Sequence, residues 1–538
     1  MSRLSFASAT GRSLRICEVV GCVGFLCLIG FRPAAAEEFD TDSDIKIRWD
    51  NTFKYSNAFR VSPKNPSLLA GNINGDDGDR DFSEGLISNR FDILSELDIS
   101  YHNYGASISG AAWYDTVYNQ KTANNSPGTY NPITVPSDTF PNGTRDVHGR
   151  EVQLLNAFVY GGEQLGDETI SFRLGRHTLL WGESLLIPTN GVAYGQAPLD
   201  VVKLLSVPNT LAKELFMPVN QLSSTVQFQN GFSLQTYTQF EWEKTRLPGV
   251  GSYFSFLDAA DAGGERIFAG NGLSFDRSYD AHPNPFGQWG AALRYSSDEL
   301  NTDFGLYAVT YADKLPQVAL QIAPDFPAGK LGNYYLVYPE NAHIFGLSAS
   351  TNIGDLNVGG EISARTNAPL VSTPQVTPTL ADASHPPGAV GDSFAAQVSA
   401  IYLLPPSDIW EGGDFAGEIA YNRRLSISAN PQALDPTTRR DALGLRFLFN
   451  PTWYQVMPGV DLTVPLGLGY NPRGNSSVVQ VFNGGENNGG DVTTGISFIY
   501  ENEWRGSLTY TRYFGNGNWN SNYYVDRDFV AFSIQRTF

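Results

Sequence analysis

The chain has 538 residues, 13% of them aromatic, with 36 Lys and Arg against 55 Asp and Glu, a formal net charge of −19. So acidic a surface repels nucleic acid and argues against it as a partner. The three cysteines, Cys17, Cys22 and Cys27, all lie near the start, so the rest of the chain can form neither a disulfide nor a thiolate metal site.

The first element is a secretory signal over residues 1–36. Arg3, Arg12 and Arg15 supply a basic start, 19–31 is an apolar run of 13 residues, and Ala34-Ala35-Ala36 is a small-residue cleavage site. The run is too short for a transmembrane helix. Cys22 follows Gly21 but has almost no apolar run before it, so a lipoprotein signal is rejected. Cleavage after Ala36 leaves 32 basic and 54 acidic side chains, a net charge of −22, in one domain over 37–538.

Beyond the signal the chain alternates apolar and polar residues in segments of about ten, the period of a strand. The segments are 45–57, 89–101, 105–118, 150–161, 168–176, 222–229, 232–246, 286–296, 301–311, 342–353, 356–366, 393–404, 414–426, 441–454, 459–470, 491–501, 504–514 and 527–538. Connections of two or three residues (His102-Asn103-Tyr104, Asn230-Gly231, Gly354-Asp355, Asn502-Glu503) alternate with long ones. Asn-Gly between alternating runs marks a hairpin, because both residues accept positive φ. Short turns on one side and long loops on the other are the pattern of a single-chain transmembrane antiparallel β-barrel, here of about 18 strands. A set of soluble β-domains would alternate too, but has no need of long loops on one side only. Pro465 within 459–470 is expected at a bulge or a distorted pairing.

Charges on one parity predict the lumen. Lys46, Arg48, Asp92, Glu96, Asp98, Glu241, Glu243, Glu361 and Arg446 each share the polar parity of their segment. The last segment sets Val530, Phe532, Ile534 and Phe538 against Ala531, Ser533, Gln535 and Thr537. It resembles the closing strand and assembly signal of Gram-negative outer-membrane barrels, with Phe538 as the residue that the assembly machinery reads. Arg536 departs from that pattern by standing among the apolar residues, where its head could snorkel to water near the membrane edge.

Three constellations could carry chemistry. In 173–222, Pro198 suits a helix start and Val201, Leu204 and Leu205 recur at helical spacing. Short amphipathic helices must bury an apolar face, so 177–221 is expected to fold inward as a constriction or plug, the alternative being a structural cap on neighbouring loops. Arg173, Arg176, His177, Trp181, Glu183, Val201, Leu204 and Leu205 are then the candidate substrate path. The acidic run 72–81 offers oxygen ligands but fails the EF-hand pattern, with Asp77 where Gly is expected and no final Glu, and it reads as a solvated loop. No G-x-S-x-G elbow occurs and the six His make no sequence motif, so the chain is not read as an enzyme, and no cofactor is expected. Loop 367–392, rich in Pro, Thr, Ser and Ala, reads as a mobile extracellular loop.

The stretches GNINGDDGDRDF (71–82), GLISNRFDILSELD (85–98), SGAAWYDTVY (109–118), LGRHTLLWGES (174–184), NGVAYGQAPLD (190–200), FEWEKTRLPGVGSYFS (240–255) and NVGGEIS (357–363) resemble a proteobacterial outer-membrane family catalogued as a domain of unknown function. The resemblance runs over nearly the whole mature chain. It implies movement of a lipid-, alkane- or sterol-like compound across the outer membrane. The implied surroundings are outer-membrane lipid and lipopolysaccharide and the barrel assembly machinery. A periplasmic LolB-like protein and an RND-type transporter are implied partners. A polar-solute porin and a surface adhesin or scaffold are the other readings, since an oily compound sits poorly in a charged lumen.

Overall fold

Period-two alternation carries the chain into a single closed antiparallel wall in the computed structural model, which describes residues 37–39, 43–208, 210, 212–519 and 521–538. The signal expected over 1–36 lies outside the described residues. The wall strands are β1 (Ile45–Arg60), β2 (Gly85–Tyr101), β3 (Tyr104–Asp115), β4 (Arg150–Leu165), β5 (Glu168–His177), β6 (Val219–Gln227), β7 (Phe232–Gln239), β8 (Trp289–Ser297) and β9 (Thr302–Tyr311). They continue with β10 (Ala342–Ile353), β11 (Leu356–Pro369), β12 (Val390–Leu403), β13 (Gly412–Arg424), β14 (Asp441–Met457), β15, β16 (Gly489–Tyr500), β17 (Trp504–Phe514) and β18 (Phe529–Thr537). β15 comes in two pieces, Val460–Thr463 and Leu466–Arg473, parted at Pro465, which cannot donate to the ladder. Each strand pairs with its neighbour in sequence, and β18 pairs back onto β1 through Ala58↔Ala531, so an 18-stranded barrel closes with no free edge. The short piece Glu37–Phe39 pairs with Ile47 to Trp49 where β18 has ended.

The outer face is apolar. Ile108, Leu174, Leu306, Phe345, Ile419 and Leu508 stand exposed on it, while the alternate positions are polar or packed inside. This is the surface a lipid bilayer solvates, and closure leaves no strand edge open to it. Among the described residues no helix is long and apolar enough to cross a membrane, so strands do the spanning.

The long connections are built, not loose. Arg266–Gly270, Leu273–Arg277, Gln317–Asp325, Lys330–Val337 and Gln375–Val376 form a second, five-stranded sheet from three different connections. Within it Tyr334, Tyr335, Leu336 and Val337 have no exposed surface. Loop 367–392 is therefore not the free loop its composition suggests: Gln375–Val376 pairs with Ala319 and Leu320, and Leu370 and Ala389 are buried. The acidic run is not solvated either. Asp76, Asp77, Asp79 and Asp81 are all buried, Asp79 between Arg60 (2.6 Å) and Arg527 (3.5 Å).

Candidate functional site

The chain leaves β5 at His177 and re-enters the wall at Val219, and between them Trp181, Ile187 and Val192 pack against inward-facing wall residues. What holds them there is a set of wall side chains that bind backbone. Glu361 of β11 accepts the N–H of Val192 at 2.7 Å with one carboxylate oxygen and that of Glu183 at 2.9 Å with the other. Glu418 of β13 accepts the N–H groups of Leu185 (3.0 Å), Leu186 and Ile187 (2.9 Å) on one oxygen and the Ser184 hydroxyl (3.1 Å) on the other. Arg365 of β11 donates to the carbonyls of Thr189, Asn190 and Gly191 at 2.8–3.2 Å and lies 4.5 Å over the Tyr194 ring. A non-helical segment inside a barrel has many amides to satisfy, and ionised side chains make the stronger hydrogen bonds. Gly182 is required here: its φ is +96°, and a Cβ would stand 2.0 Å from Glu361 Oε2.

Apolar contacts complete the anchoring. Trp181 is buried with its ring 5.1 Å from Tyr237 and 6.1 Å from Tyr307, on the inner faces of β7 and β9. Ile187 packs with Ala420, Ala442 and Phe482, and Val192 with Val309 and Ile344. Lys314, just past β9, is fully enclosed, donates to the Gly195 carbonyl at 3.0 Å, and is pushed down to about 8 by burial.

The segment then crosses to the opposite wall. Asp200 takes Arg246 at 2.6 Å, and Arg246 also reaches Glu151 of β4 at 3.5 Å. Lys203 meets Glu214 at 3.4 Å and lies 5.5 Å from the Trp113 ring of β3, a ring that Arg90 and Arg246 also face. Asp200 caps a helix of six residues, Val201–Ser206, by accepting the Lys203 N–H at 2.9 Å.

The family model described as "Protein of unknown function (DUF1302)" matches residues 19–538. The chain belongs to this family. No match was found among curated proteins. Solved structures similar in fold include OccAB1 of Acinetobacter baumannii, at 10% identity and a TM-score of 0.43, covering 94% of this chain and 99% of that one. OpdK of Pseudomonas aeruginosa, solved with vanillate, is 9% identical with a TM-score of 0.39, covering 91% and 98%. OccK2 of the same organism, solved with glucuronate, is 8% identical with a TM-score of 0.39 and the same coverage. The DUF1302 chain is a closed 18-stranded barrel with the apolar outer face of an outer-membrane protein.

Within this DUF1302 barrel the residues singled out from sequence separate into three groups. Lys46, Arg48, Asp92, Glu96, Asp98, Glu361 and Arg446 share the inward parity of their strands, the one occupied by Lys54, Arg90, Arg365 and Ala442. Arg48 stands opposite Asp98 and Lys54 opposite Asp92 in register, while the acidic Asp50 and Glu96 face each other between them. Arg446 binds Asp491 at 2.8 Å. Arg173 also faces inward, exposed, 5.8 Å over the Phe158 ring.

The second group is misplaced by the sequence reading. Glu241 and Glu243 lie beyond the end of β7 at Gln239, so they are not wall residues. Arg176 has the outward parity of Phe172 and Leu174 and pairs with Glu241 at 2.6 Å on the rim. The alternation of 232–246 continues past the point where the chain quits the wall, which is why the segment looks like one long strand.

The third group lies at the end of β5 and on the connection that follows it. His177 is locked between Ser223 (2.8 Å) and the Gly175 carbonyl (3.0 Å), and Trp181 is sealed against the wall, so neither is open to a solute. Glu183 stays half-buried, 3.6 Å from Arg294. The amphipathic helices expected from Val201, Leu204 and Leu205 are only Val201–Ser206 and Ala212–Leu215. In the first, Val202 and Lys203 are the buried residues, Leu205 packs on a core near β1 and β2, and Leu204 is 54% exposed. Sequence reasoning missed Glu418, Arg365, Arg246 and Lys314. Glu418 and Arg365 do carry a signal, being charges on the inward parity of strands.

Proposed function

We propose that this protein is an outer-membrane channel for a small molecule with a substantial apolar body, and that residues 178–218 form its constriction. The observation that carries the reading is the contrast between that segment and the wall around it. Leu180, Leu185 and Leu204 are exposed on a segment whose neighbours are inward-facing wall residues. Exposed leucines inside a charged barrel supply apolar contact to a solute. The resemblance to a family associated with lipid-, alkane- or sterol-like compounds agrees with this. On the same reading a periplasmic LolB-like carrier and an RND-type transporter are the natural exchange partners of an oily solute, which needs shelter from water on leaving the barrel.

A second reading, a porin for polar solutes, draws on the lumen charges toward the short-turn end. Arg48 keeps 63% of its side chain exposed although Asp50 is 2.8 Å away. A strain lacking the gene separates the two. Loss of growth on hydrophobic carbon sources with normal growth on polar ones supports the first reading; the reverse pattern supports the porin.

A further inference from the structure

We propose that Asp76, Asp77 and Asp258 hold a divalent metal cation, calcium by its chemistry, which fastens three extracellular connections together over the mouth of the barrel. One carboxylate oxygen of each lies within 4.8 Å of the others. Asp76 and Asp77 come from the connection between β1 and β2, and Asp258 from the connection between β7 and β8. Asn131, from the connection between β3 and β4, donates its N–H to Asp77 Oδ2 at 3.0 Å.

Proximity of acids alone would not make a site. The second observation is that each carboxylate has one oxygen used and one left over. Asp77 Oδ2 takes Asn131, Asp258 Oδ2 takes the Asp77 N–H at 3.0 Å, and Asp76 Oδ2 takes Arg80. Asp76 Oδ1, Asp77 Oδ1 and Asp258 Oδ1 are buried with no hydrogen-bond partner, and so is Asn131 Oδ1. Asp77 and Asp258 have no exposed surface, so water does not reach them freely. A buried carboxylate oxygen without donor or cation is costly.

The local arginines do not relieve it. Arg60 and Arg527 are engaged by Asp79 and Asp526, and Arg80 by Asp76. Among the described residues Asp77, Asp81 and Asp258 make no ion pair, and Asp81 adds another buried oxygen, Oδ2, without a partner. A hard cation is suited to oxygen-only donors gathered from separate connections, with water completing six to eight ligands, as calcium requires.

The test uses the purified full-length protein in detergent, stripped with EDTA and titrated calorimetrically with calcium chloride. One calcium per chain is expected, with a raised unfolding midpoint in calcium that potassium does not reproduce. Asp77→Asn and Asp258→Asn should each abolish the heat of binding. No calcium uptake by the wild type at millimolar concentration overturns the proposal, as does uptake unchanged in both variants. If the variants do not fold, proteolysis of the wild type decides. Cleavage within 61–84 or 240–288 that is faster in EDTA than in calcium supports the clamp, and equal rates overturn it.

Discussion

Glu361 and Val192 are joined by a 2.7 Å hydrogen bond that spans 169 positions of sequence, from the middle of β11 to the backbone of the interior segment. The same carboxylate takes the N–H of Glu183, so both of its oxygens are used on a segment that has no ladder of its own. With Glu418 and Arg365 it forms a row of inward charges on β11 and β13 directed at backbone amides and carbonyls. This row marks where the segment is fixed.

Removing one fixing point should loosen the segment without opening the barrel. Glu418→Ala leaves the amides of Leu185, Leu186 and Ile187 without their acceptor. At about 1.5–3 kcal/mol for each hydrogen bond to a charged group, the three together make a loss of about 4.5–9 kcal/mol. Hydrogen exchange at 184–192 should speed up markedly while exchange in the wall strands is unchanged. Uniform protection in the variant would mean that the segment is held by its apolar contacts alone.

Glu486 sets a pH dependence in the connection between β15 and β16. Burial, followed by repulsion from Asp491, pushes its carboxyl from 4.5 up to about 8. A raised carboxyl keeps its proton in the folded state where the unfolded chain has lost it. Stability from this group is therefore full below about 4.5 and declines as pH rises through about 8. The amide of Asn471 lies 3.2 Å from it. Protection of 482–488 should fall between about pH 5 and about pH 9 in the wild type, and Glu486→Gln should flatten that fall. A wild type with equal protection at both pH values would contradict it.

The outer face gives a test of register. Leu306 is exposed to lipid in β9 while its neighbour Tyr307 is sealed inside. Leu306→Arg near the bilayer midplane should cost about 2–4 kcal/mol and lower the heat-modifiable folded form. Glu96→Gln on the lumen side of β2 should leave folding intact and change only ion selectivity. Equal effects on folding from the two substitutions would mean that the faces are exchanged.

The closing strand carries another prediction. Phe538 stacks on Phe53 with ring centroids 5.3 Å apart, and its backbone exchanges hydrogen bonds with Asn51 at 2.7 and 3.0 Å. Arg536, out of place among lipid-facing residues, binds Glu503 of the short turn at 2.8 Å and lies over the rings of Trp504 and Phe538. Phe538→Asp should reduce the amount of folded protein in outer membranes, both by losing the aromatic contact and by spoiling the signal proposed for the assembly machinery. Normal amounts of folded variant would remove that role.

Much of the wall was legible because side-chain period is a local property. The runs at 342–353 and 504–514 coincide with β10 and β17. Legibility ends where pairing is distant. The five-stranded outer sheet joins three connections, partly in parallel, and no single stretch announces it. The alternation overreaches at Glu241 and Glu243 because Phe240 and Trp242 prolong it after the chain has left the wall. The acidic run 72–81 looked solvated because its partners, Arg60, Arg527, Asn131 and Asp258, lie elsewhere in the sequence. Glu361 and Arg446 could be read as lumen charges, but that Glu361 binds backbone could not, since its two amides lie 169 and 178 residues away.

The most direct test of the account is single-channel conductance in planar bilayers, comparing the intact protein with a variant in which residues 183–192 are replaced by a short Gly-Ser linker. These residues hold the contacts to Glu361, Glu418 and Arg365 and leave the wall strands untouched. If this segment is the constriction, conductance rises several-fold while heat modifiability is retained, and uptake of the hydrophobic compound loses its selectivity. Unchanged conductance in a properly folded variant would contradict the account and leave the segment a structural cap.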